Sequence, residues 1–291
     1  MITVEAHAKI NLTLEVQGRR PDEFHEIASI VQTISLHDVI TIHPSESLTL
    51  SCDIEGLAPE ENLAFKAASM LRERTGTTLG ARVEIEKHIP VAAGLGGGSS
   101  DAAATLNALN QLWKLDLEAP ELEAIAAELG SDVPYLLRGG TAMLSGRGEK
   151  VRSLPAADLP WIVLFTPKAA IDNKTATMYS AVEPSDYTKG ALTRKLDARI
   201  RGGGDVPPQF LFNVFDEVAK RAVPGLSDQW AMFESLGARE VHLSGSGPTM
   251  YSPVAKREFG SAIRLLLTHT HGEQSNLVTA WDPERGEHWT H

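Results

Sequence analysis

The chain has 291 residues, of which 42% are hydrophobic and 22% are charged, and its formal net charge at pH 7 is −11. This length and composition indicate a globular protein of about two domains. The negative charge argues against a nucleic-acid-binding surface, which needs clustered lysine and arginine, and no apolar run approaches the ~18 residues of a membrane span. The N-terminus shows no signal-peptide pattern. The single cysteine, Cys52, fits a reducing compartment, so we expect a cytoplasmic protein without an intrachain disulfide.

The first half of the chain alternates between strand and helix patterns. From Thr3 to Leu14, apolar Ile10 and Leu12 alternate with polar Lys9 and Asn11, which predicts a half-buried strand. The glycines of Gly146-Arg147-Gly148 predict the turn of a hairpin. The hydrophobic spacing further predicts strands over 39–42, 48–52 and 81–87, helices over 62–74, 101–113 and 121–129, and the hairpin over 141–154.

A break in the pattern at Pro155–Pro160 predicts a domain boundary, which gives an N-terminal domain of residues 1–157 and a C-terminal domain of residues 158–291. Strands and helices mix without strict βαβ repetition, which indicates the α+β class. In the second half we predict strands over 161–165, 240–243, 249–252 and 277–281, helices over 210–221, 228–236 and 256–267, and a polar stretch up to Asp205.

A glycine-rich segment is the strongest local signal. It follows a predicted strand, leads directly into a predicted helix and reads Pro90-Val91-Ala92-Ala93-Gly94-Leu95-Gly96-Gly97-Gly98-Ser99-Ser100. Glycine lets the backbone approach a ligand closely, and a helix N-terminus offers unpaired N–H groups and a positive dipole end. The pattern predicts a phosphate-binding loop, in which Ser99 and Ser100 cap the helix, bind phosphate or hold Mg²⁺. The alternative is a flexible linker with a serine cap, and neither common phosphate-loop motif is matched.

Three segments together resemble the motifs of the GHMP kinase superfamily. Besides the glycine-rich loop they are Ala8-Lys9-Ile10-Asn11-Leu12 and Ser244-Gly245-Ser246-Gly247-Pro248-Thr249, which are similar to the superfamily's first and third motifs. The resemblance implies a two-lobed α+β fold with the active site between the lobes. It also implies an ATP-dependent small-molecule kinase that uses Mg²⁺, with residues 90–100 on ATP and the turn of residues 244–247 beside the active site.

Within the superfamily, the sequence resembles a branch that phosphorylates the 2-hydroxyl of a cytidine diphosphate-linked methylerythritol in the non-mevalonate route to isoprenoids. The resemblance rests on Pro21-Asp22-Glu23-Phe24-His25-Glu26 and Gly130-Ser131-Asp132-Val133-Pro134. Two segments depart from the branch pattern. Glu23-Phe24 replaces Gly-Tyr, which bears on base recognition, and Asn213-Val214-Phe215-Asp216 replaces Asn-Asp-Leu-Glu, which bears on packing in the second domain.

The resemblance assigns Lys9 and Asp132 as catalytic residues that lie close together. Lys9 and Asn11 project from one face of a strand about 6.6 Å apart. By itself that pattern favours a solvated strand face, but the motif favours Lys9 stabilising the transferring phosphoryl group and Asn11 orienting the substrate. Asp132 precedes Val133-Pro134 and by local sequence is equally well explained as a helix N-cap. The resemblance makes it the carboxylate that positions the hydroxyl and accepts its proton late, since phosphoryl transfer asks little covalent help of the protein.

The resemblance also assigns binding residues. Phe24 and His25 hold the cytosine by stacking and hydrogen bonding, and Tyr179 is a second stacking ring; without the resemblance all three read as ordinary core or surface residues. Asn62 and Lys87 are expected near the ATP adenine.

Metal ligands are not assigned by the sequence. His269-x-His271 and His288-x-x-His291 lack cysteine partners and helix-face spacing, which indicates solvated histidines. Two other functions stay open: a GHMP kinase that acts on homoserine or a mevalonate-type alcohol, and a non-catalytic relative that binds ligands. The segments Phe24-His25 and Asp132-Val133-Pro134 argue against the first, and Lys9, Asp132 and the loop argue against the second.

Overall fold

The computed structural model of the chain describes residues 1–54, 59–168 and 174–284. The chain forms two compact units. The first unit comprises Met1–Ala8, Leu36–Val91 and Gly96–Gly139, and the second unit comprises Lys9–Ser35, Ala92–Leu95 and Gly140–His291. Two long strands, β1 (Ile2–Arg19) and β2 (His25–Ser45), each contribute residues to both units.

The first unit combines a mixed sheet with helices. Strand β3 (Leu48–Cys52) runs parallel to β4 (Gly80–Glu86), and β4 runs antiparallel to residues 39–45 of β2, which lies beside β1. The helices are α1 (Leu63–Thr75), α2 (Gly97–Trp113), α3 (Ala119–Leu129) and α4 (Val133–Leu136).

Small residues let α1 and α2 pack closely. Ala64, Ala67 and Ala68 of α1 and Ala102 and Ala103 of α2 are fully buried in one hydrophobic core. The side chains at a helix contact set the distance between the two helix axes. Because alanine is small, we expect the interaxial distance of α1 and α2 to be near the lower end of the usual range for packed helices. The start of α2 is thereby fixed on a rigid support.

The second unit contains a separate antiparallel sheet in the order β11-β7-β10-β9. Residues 27–32 of β2 pair antiparallel with β5, which forms a hairpin with β6, and β8 pairs parallel with β1 at Thr13 and Leu14. Its strands and helices are β5 (Thr141–Gly146), β6 (Lys150–Ser153), β7 (Trp161–Thr166), α5 (Lys174–Ser180), α6 (Ala191–Arg201), β8 (Phe212–Asn213), α7 (Phe215–Ala222), α8 (Leu226–Ser235), β9 (His242–Leu243), β10 (Met250–Val254), α9 (Arg257–Leu265) and β11 (Gln274–Val278).

The α+β class is confirmed, as are the hairpin around Gly146 and most of the predicted strands and helices. The predicted half-buried character of β1 is wrong, because Lys9, Asn11 and Thr13 are also buried, each at 5% exposure or less. The polar face of the strand is covered by tertiary contacts rather than by water.

Two predictions in the second half of the chain are also wrong. The helix predicted over 210–221 begins only at Phe215, because Asn213 is held in strand β8 by its pairing with Leu14. The stretch up to Asp205, predicted to be merely polar, contains α5 and α6. Helix α6 buries Leu196 and Ile200 at helical spacing, so the signal was present in the sequence.

The compact units divide the chain differently from the predicted boundary at residues 157 and 158. Residues 9–35 and 140–157 belong to the same unit, because the β5–β6 hairpin pairs with the first part of β2. The division into two sequence domains stays a prediction. The paired histidines at 288 and 291 lie outside the described residues. Within the described ranges, no helix is both long enough and apolar enough to cross a membrane.

Candidate active site

The glycine-rich loop forms the first turn of α2 in the first unit. Helix α2 begins at Gly97, four residues before the predicted start, and Gly96 precedes it in a left-handed conformation with φ of 74°. The N–H groups in the first turn of a helix have no partner within the helix. The serine-cap alternative is wrong for this helix, because Gly96 occupies the cap position and makes no side-chain cap hydrogen bond. The Ser100 hydroxyl instead donates to the carbonyl oxygen of His7 at 2.7 Å.

The loop leaves little room for side chains at two of its glycines. A Cβ atom at Gly97 would lie 3.0 Å from the Ile89 side chain, and one at Gly94, where φ is 86°, would clash with the carbonyl oxygens of Ser244 and Gly247. Gly98 has ordinary space around it. A close-approach backbone with a helix start behind it fits a phosphate group. This arrangement contradicts the flexible-linker alternative.

Lys87, at the end of β4, belongs to a buried cluster of charged residues. Its Nζ lies 2.5 Å from Asp38 Oδ2 and 2.6 Å from Asp101 Oδ2, and the Lys87 side chain is 9% exposed. Asp38 also accepts hydrogen bonds from the backbone N–H groups of His88 and Ile89 at 2.6 and 2.8 Å. The cluster therefore joins the strand end after β4 to the first turns of α2.

The electrostatics of this cluster follow from burial. Burial by itself lowers the pKa of Lys87, but the carboxylates of Asp101 and Asp38 outweigh it and the pKa is raised. Burial raises the pKa of Asp101, the charge of Asp38 raises it further, and Lys87 opposes both. One ammonium group faces two carboxylates, so it is already neutralised by the protein.

Asn62 and Asp132 also lie in the first unit. The Asn62 side chain caps α1 by accepting from the Ala64 N–H at 2.9 Å, a role the adenine prediction did not include. Asp132 precedes α4, but its side chain makes no cap hydrogen bond. Asp132 therefore occupies the N-cap position that the helix-cap alternative predicted, although without a side-chain cap hydrogen bond, and its catalytic role stays a prediction.

In the second unit, Lys9 and Asn11 are tied to the turn of residues 244–247. Lys9 Nζ donates to Asn11 Oδ1 at 2.7 Å, and Asn11 Nδ2 donates to Ser29 Oγ at 2.9 Å. The Gly245 N–H also donates to Asn11 Oδ1, at 2.8 Å, and the Ser244 hydroxyl donates to the carbonyl oxygen of Gly94 at 2.9 Å. The first motif, part of the loop and the third motif thus share one network.

Sequence reasoning missed Lys174 and Asn213, which both hold this network. Lys174 Nζ donates to the carbonyl oxygens of Ala92, at 2.7 Å, and Gly247. Burial, together with repulsion from Lys9, lowers the pKa of Lys174 to about 8. Asn213 Nδ2 donates to the carbonyl oxygen of Gly245 at 2.8 Å. The sequence carried no signal for either role, since Lys174 lies in the stretch predicted to be polar and Asn213 near the start of the helix predicted over 210–221. Both roles depend on contacts between distant segments.

Two of the three residues predicted to bind the cytosine, His25 and Tyr179, are in contact. The rings of His25 and Tyr179 are stacked with centroids 5.2 Å apart, and Tyr179 packs edge-on against Phe215 at 4.9 Å. Phe24 is 51% exposed, with the Arg147 guanidinium 5.0 Å from its ring centroid. Phe215 belongs to a segment that departs from the branch pattern. Through this ring contact the departure affects the surroundings of Tyr179, which was predicted to bind the cytosine.

The other departure has a backbone consequence. Glu23 adopts φ of 68°, the left-handed region that favours glycine. The loop is held by Arg20, whose guanidinium bonds Glu26 at 2.6 Å and Asp22 at 3.1 Å. Glu23 therefore adopts a backbone conformation that glycine would adopt more easily.

Comparison with known proteins gives the class. Residues 62–140 match the family model for the GHMP kinases N terminal domain. In fold, the structure is similar to a homoserine kinase from Cytophaga hutchinsonii, with a TM-score of 0.72 and 18% identity over 96% of this chain and 94% of that chain. These matches show that the chain has the fold of the GHMP kinases.

Relatives of higher identity cover nearly the whole chain. A 4-diphosphocytidyl-2-C-methyl-D-erythritol kinase from Dehalococcoides mccartyi is 39% identical over 97% of this chain and 99% of its own length, and one from Symbiobacterium thermophilum is 39% identical over 89% and 93%. A crystal structure of 4-(cytidine 5'-diphospho)-2C-methyl-D-erythritol kinase aligns with a TM-score of 0.81 and 32% identity over 96% of this chain and 99% of that chain. The chain belongs to the 4-diphosphocytidyl-2-C-methyl-D-erythritol kinase family of GHMP kinases.

Proposed function

We propose that the protein transfers the γ-phosphate of ATP to the 2-hydroxyl of 4-diphosphocytidyl-2-C-methyl-D-erythritol, a step of the non-mevalonate route to isoprenoid precursors. The observation that carries the proposal is the 39% identity to a kinase of that name over 97% of this chain. The close-approach loop at the start of α2 and the Lys9–Asn11–Gly245 network support it, because both suit a phosphorylated substrate.

In this proposal the first turn of α2 binds the phosphates of ATP through its backbone N–H groups. Lys9 stabilises negative charge on the transferring group and makes the attacking hydroxyl more acidic, and Asn11 orients the substrate. Asp132 positions the hydroxyl and accepts its proton late. Positioning and charge stabilisation are what phosphoryl transfer mainly requires of a protein.

Mg²⁺ is part of the proposal as the ion that accompanies ATP, where it neutralises charge on the phosphates. The Ser99 hydroxyl is the residue we assign to it. Ser99 lies in the first turn of α2, is only partly buried, and makes no side-chain hydrogen bond to the part of the chain that the structure describes. A hydroxyl at this position suits an oxygen-preferring cation.

We assign the cytosine to Phe24, His25 and Tyr179. Burial lowers the pKa of His25, and the charge of Arg19 adds to this, so the imidazole is neutral at pH 7 and has both a donor and an acceptor nitrogen. The stack of His25 on Tyr179 and the exposed ring of Phe24 provide aromatic faces for a base.

The test is a substrate panel with ATP and Mg²⁺, read out by ADP release. It contains the cytidine compound, its uridine analogue, methylerythritol 4-phosphate, homoserine and mevalonate. We expect kcat/KM to be highest for the cytidine compound and about tenfold or more lower for the uridine analogue, because a mismatched base edge leaves polar groups unsatisfied at about 1–3 kcal/mol each.

His25→Ala should narrow the difference between the cytidine compound and the uridine analogue and leave the KM for ATP unchanged. His43→Ala is the matched control, since His43 is a partly exposed histidine of β2 outside the proposed site. Turnover of homoserine or mevalonate at rates equal to those of the cytidine compound would refute the substrate assignment.

Asp132→Asn tests the catalytic assignment. We expect the variant to fold and bind ATP, with kcat lowered at least ~10²-fold, as is typical of lost acid–base help. The measurement is steady-state turnover together with ATP binding by calorimetry. Because the Asp132 side chain does not cap α4, a large loss of thermal stability is not expected. Near-normal turnover in the folded variant would remove Asp132 from the mechanism.

A further inference from the structure

We propose that Glu5, His7 and His37 form a binding site for a divalent transition-metal ion such as Zn²⁺. All three lie in the first unit, on strands β1 and β2, and none belongs to a motif used in the proposed function. One ligand atom from each residue lies within 4.8 Å of those from the other two.

The strands bring these residues together. Glu5 and His7 are two residues apart on β1 and therefore share a face. Farther along, the hydroxyls of Thr3 and Thr41 lie 3.2 Å apart. His7 lies four residues after Thr3, and His37 lies four residues before Thr41. The ring centroids of the two histidines are 5.1 Å apart. The two contacts, Thr3 with Thr41 and His7 with His37, advance along β1 while they go back along β2, as in an antiparallel pair. The register of the sheet therefore places the two histidines side by side.

The distances suit a metal ion. His7 Nε2 lies 3.2 Å from Glu5 Oε2, and His37 Nε2 lies 3.7 Å from Glu5 Oε1. Zinc binds imidazole nitrogen and carboxylate oxygen at about 2.0–2.2 Å in a tetrahedron. Ligand atoms of such a site are about 3.4 Å apart, which follows from those bond lengths. Both observed separations are close to that value.

The chemistry of the donors selects the kind of ion. Two imidazoles and one carboxylate suit Zn²⁺, Co²⁺ or Ni²⁺, whereas Mg²⁺ prefers oxygen ligands alone. The His7 side chain is 4% exposed and that of Glu5 is 52% exposed. One ligand is therefore held rigidly, while the carboxylate is free to adjust and leaves a path for the ion from solvent.

The location links the site to α2. The carbonyl oxygen of His7 accepts the hydrogen bond from Ser100, and His37 is next to Asp38, which holds Lys87. An ion bound at His7 and His37 would cross-link two strand positions that also anchor the start of α2. We expect it to stabilise the first unit.

The experiment is isothermal titration of the metal-free full chain with ZnCl₂, in the absence of ATP. We expect one equivalent to bind with micromolar or tighter affinity and to raise the melting temperature. His37→Ala and Glu5→Gln should each weaken binding at least tenfold. These two side chains are partly exposed, so both variants should fold even if His7→Ala does not.

Two control variants separate this site from other histidines. His43→Ala removes a histidine whose Nε2 lies 3.6 Å from Glu84 Oε2, on the same sheet. The double variant His269→Ala/His271→Ala removes two other histidines near each other in sequence. Both should bind Zn²⁺ as the wild type does. With Co²⁺ as the probe, the absorption spectrum should lack a sulfur-to-metal charge-transfer band, which excludes Cys52 as the ligand. The absence of Zn²⁺ binding, or equal binding by His37→Ala, Glu5→Gln and the wild type, would overturn the proposal.

Discussion

Lys87 in the first unit and Lys174 in the second unit are both largely buried, but the groups that surround their ammonium groups differ in charge. Lys87 Nζ faces two carboxylates, and its pKa is raised. Lys174 Nζ faces the carbonyl oxygens of Ala92 and Gly247 and is repelled by Lys9, and its pKa is lowered to about 8. The first cation is already paired with anions of the protein, whereas the hydrogen-bond partners of the second among the described residues are carbonyl dipoles.

This difference separates a structural lysine from one that suits a ligand. A buried cation without a carboxylate partner is stabilised when an anion such as a phosphate approaches it. We expect Lys87 to act on the stability of the fold and Lys174 to act on the binding of ATP. Sequence reasoning assigned ATP to Lys87 and overlooked Lys174, so three substitutions test whether the structural assignment is the better one.

The largest effect is expected for Lys87→Met. The substitution leaves Asp38 and Asp101 buried without their cation, and removing one partner of a buried ion pair typically costs about 3–5 kcal/mol. The free energy of unfolding, measured by chemical denaturation, should fall by that amount. Adding Asp101→Asn to Lys87→Met should restore part of the loss, since one buried carboxylate is then removed.

Lys66→Met is the control for Lys87→Met, because Lys66 lies exposed on α1 of the same unit. Its effect should stay within about 0.5 kcal/mol. If Lys87→Met were as stable as Lys66→Met and instead lost affinity for ATP, the original adenine assignment of Lys87 would be the correct one.

Lys174→Met should affect ATP rather than stability. Hydrogen bonds to a charged group contribute about 1.5–3 kcal/mol, so we expect the KM for ATP to rise about tenfold. In the wild type the ammonium loses its proton as the pH rises through about 8, so the KM for ATP should increase from pH 7 to pH 9. The variant should show no such increase.

The stability of Lys174→Met gives the control. The pKa of Lys174 is lower in the folded chain than in the unfolded chain, so this group destabilises the fold below pH 8 and the cost fades as the pH rises toward the unfolded value. Below pH 8, Lys174→Met removes both this destabilising contribution and the two hydrogen bonds of the ammonium group. The net change in the free energy of unfolding should therefore be small. Equal KM values for wild type and variant at both pH 7 and pH 9 would exclude Lys174 from ATP binding.

A smaller effect on stability than that of Lys87→Met is expected for Asp101→Asn. Burial raises the pKa of Asp101 to about 7. A carboxyl group whose pKa is raised by folding destabilises the fold as the pH rises from its unfolded value through its folded value. Between pH 5 and pH 8 the wild type should therefore lose more stability than Asp101→Asn. The difference is about 2–3 kcal/mol, because the folded pKa of about 7 lies about two units above pH 5 and each unit corresponds to about 1.4 kcal/mol.

Thermal unfolding in a series of buffers measures this difference. Asp53→Asn is the control, since Asp53 is an exposed aspartate of the same unit that accepts hydrogen bonds from the backbone N–H of Lys87 and the thiol of Cys52. It should follow the pH profile of the wild type. Parallel profiles for Asp101→Asn and the wild type would show that Asp101 is charged throughout this range and that Lys87 neutralises it fully.

The sequence located the glycine-rich loop because its signal is local. Glycines directly before an alanine-rich helix favour close approach of a ligand to the helix start. The start of α2 was predicted four residues late, since glycine is a poor helix former and only the support of α1 and the buried cluster favours helix at Gly97 and Gly98.

By itself the sequence determined the α+β class and the glycine-rich loop before a helix, because periodicity and spacing are properties of neighbouring residues. The first and third motifs carried the resemblance to the family. Only the tertiary structure decided that Lys87 is neutralised, that Lys174 holds the loop, and that Asn213 fixes Gly245. Each of these roles depends on burial and on partners from distant parts of the chain. A lysine has the same sequence signal whether carboxylates or carbonyl groups surround it, and that difference sets its charge and its role.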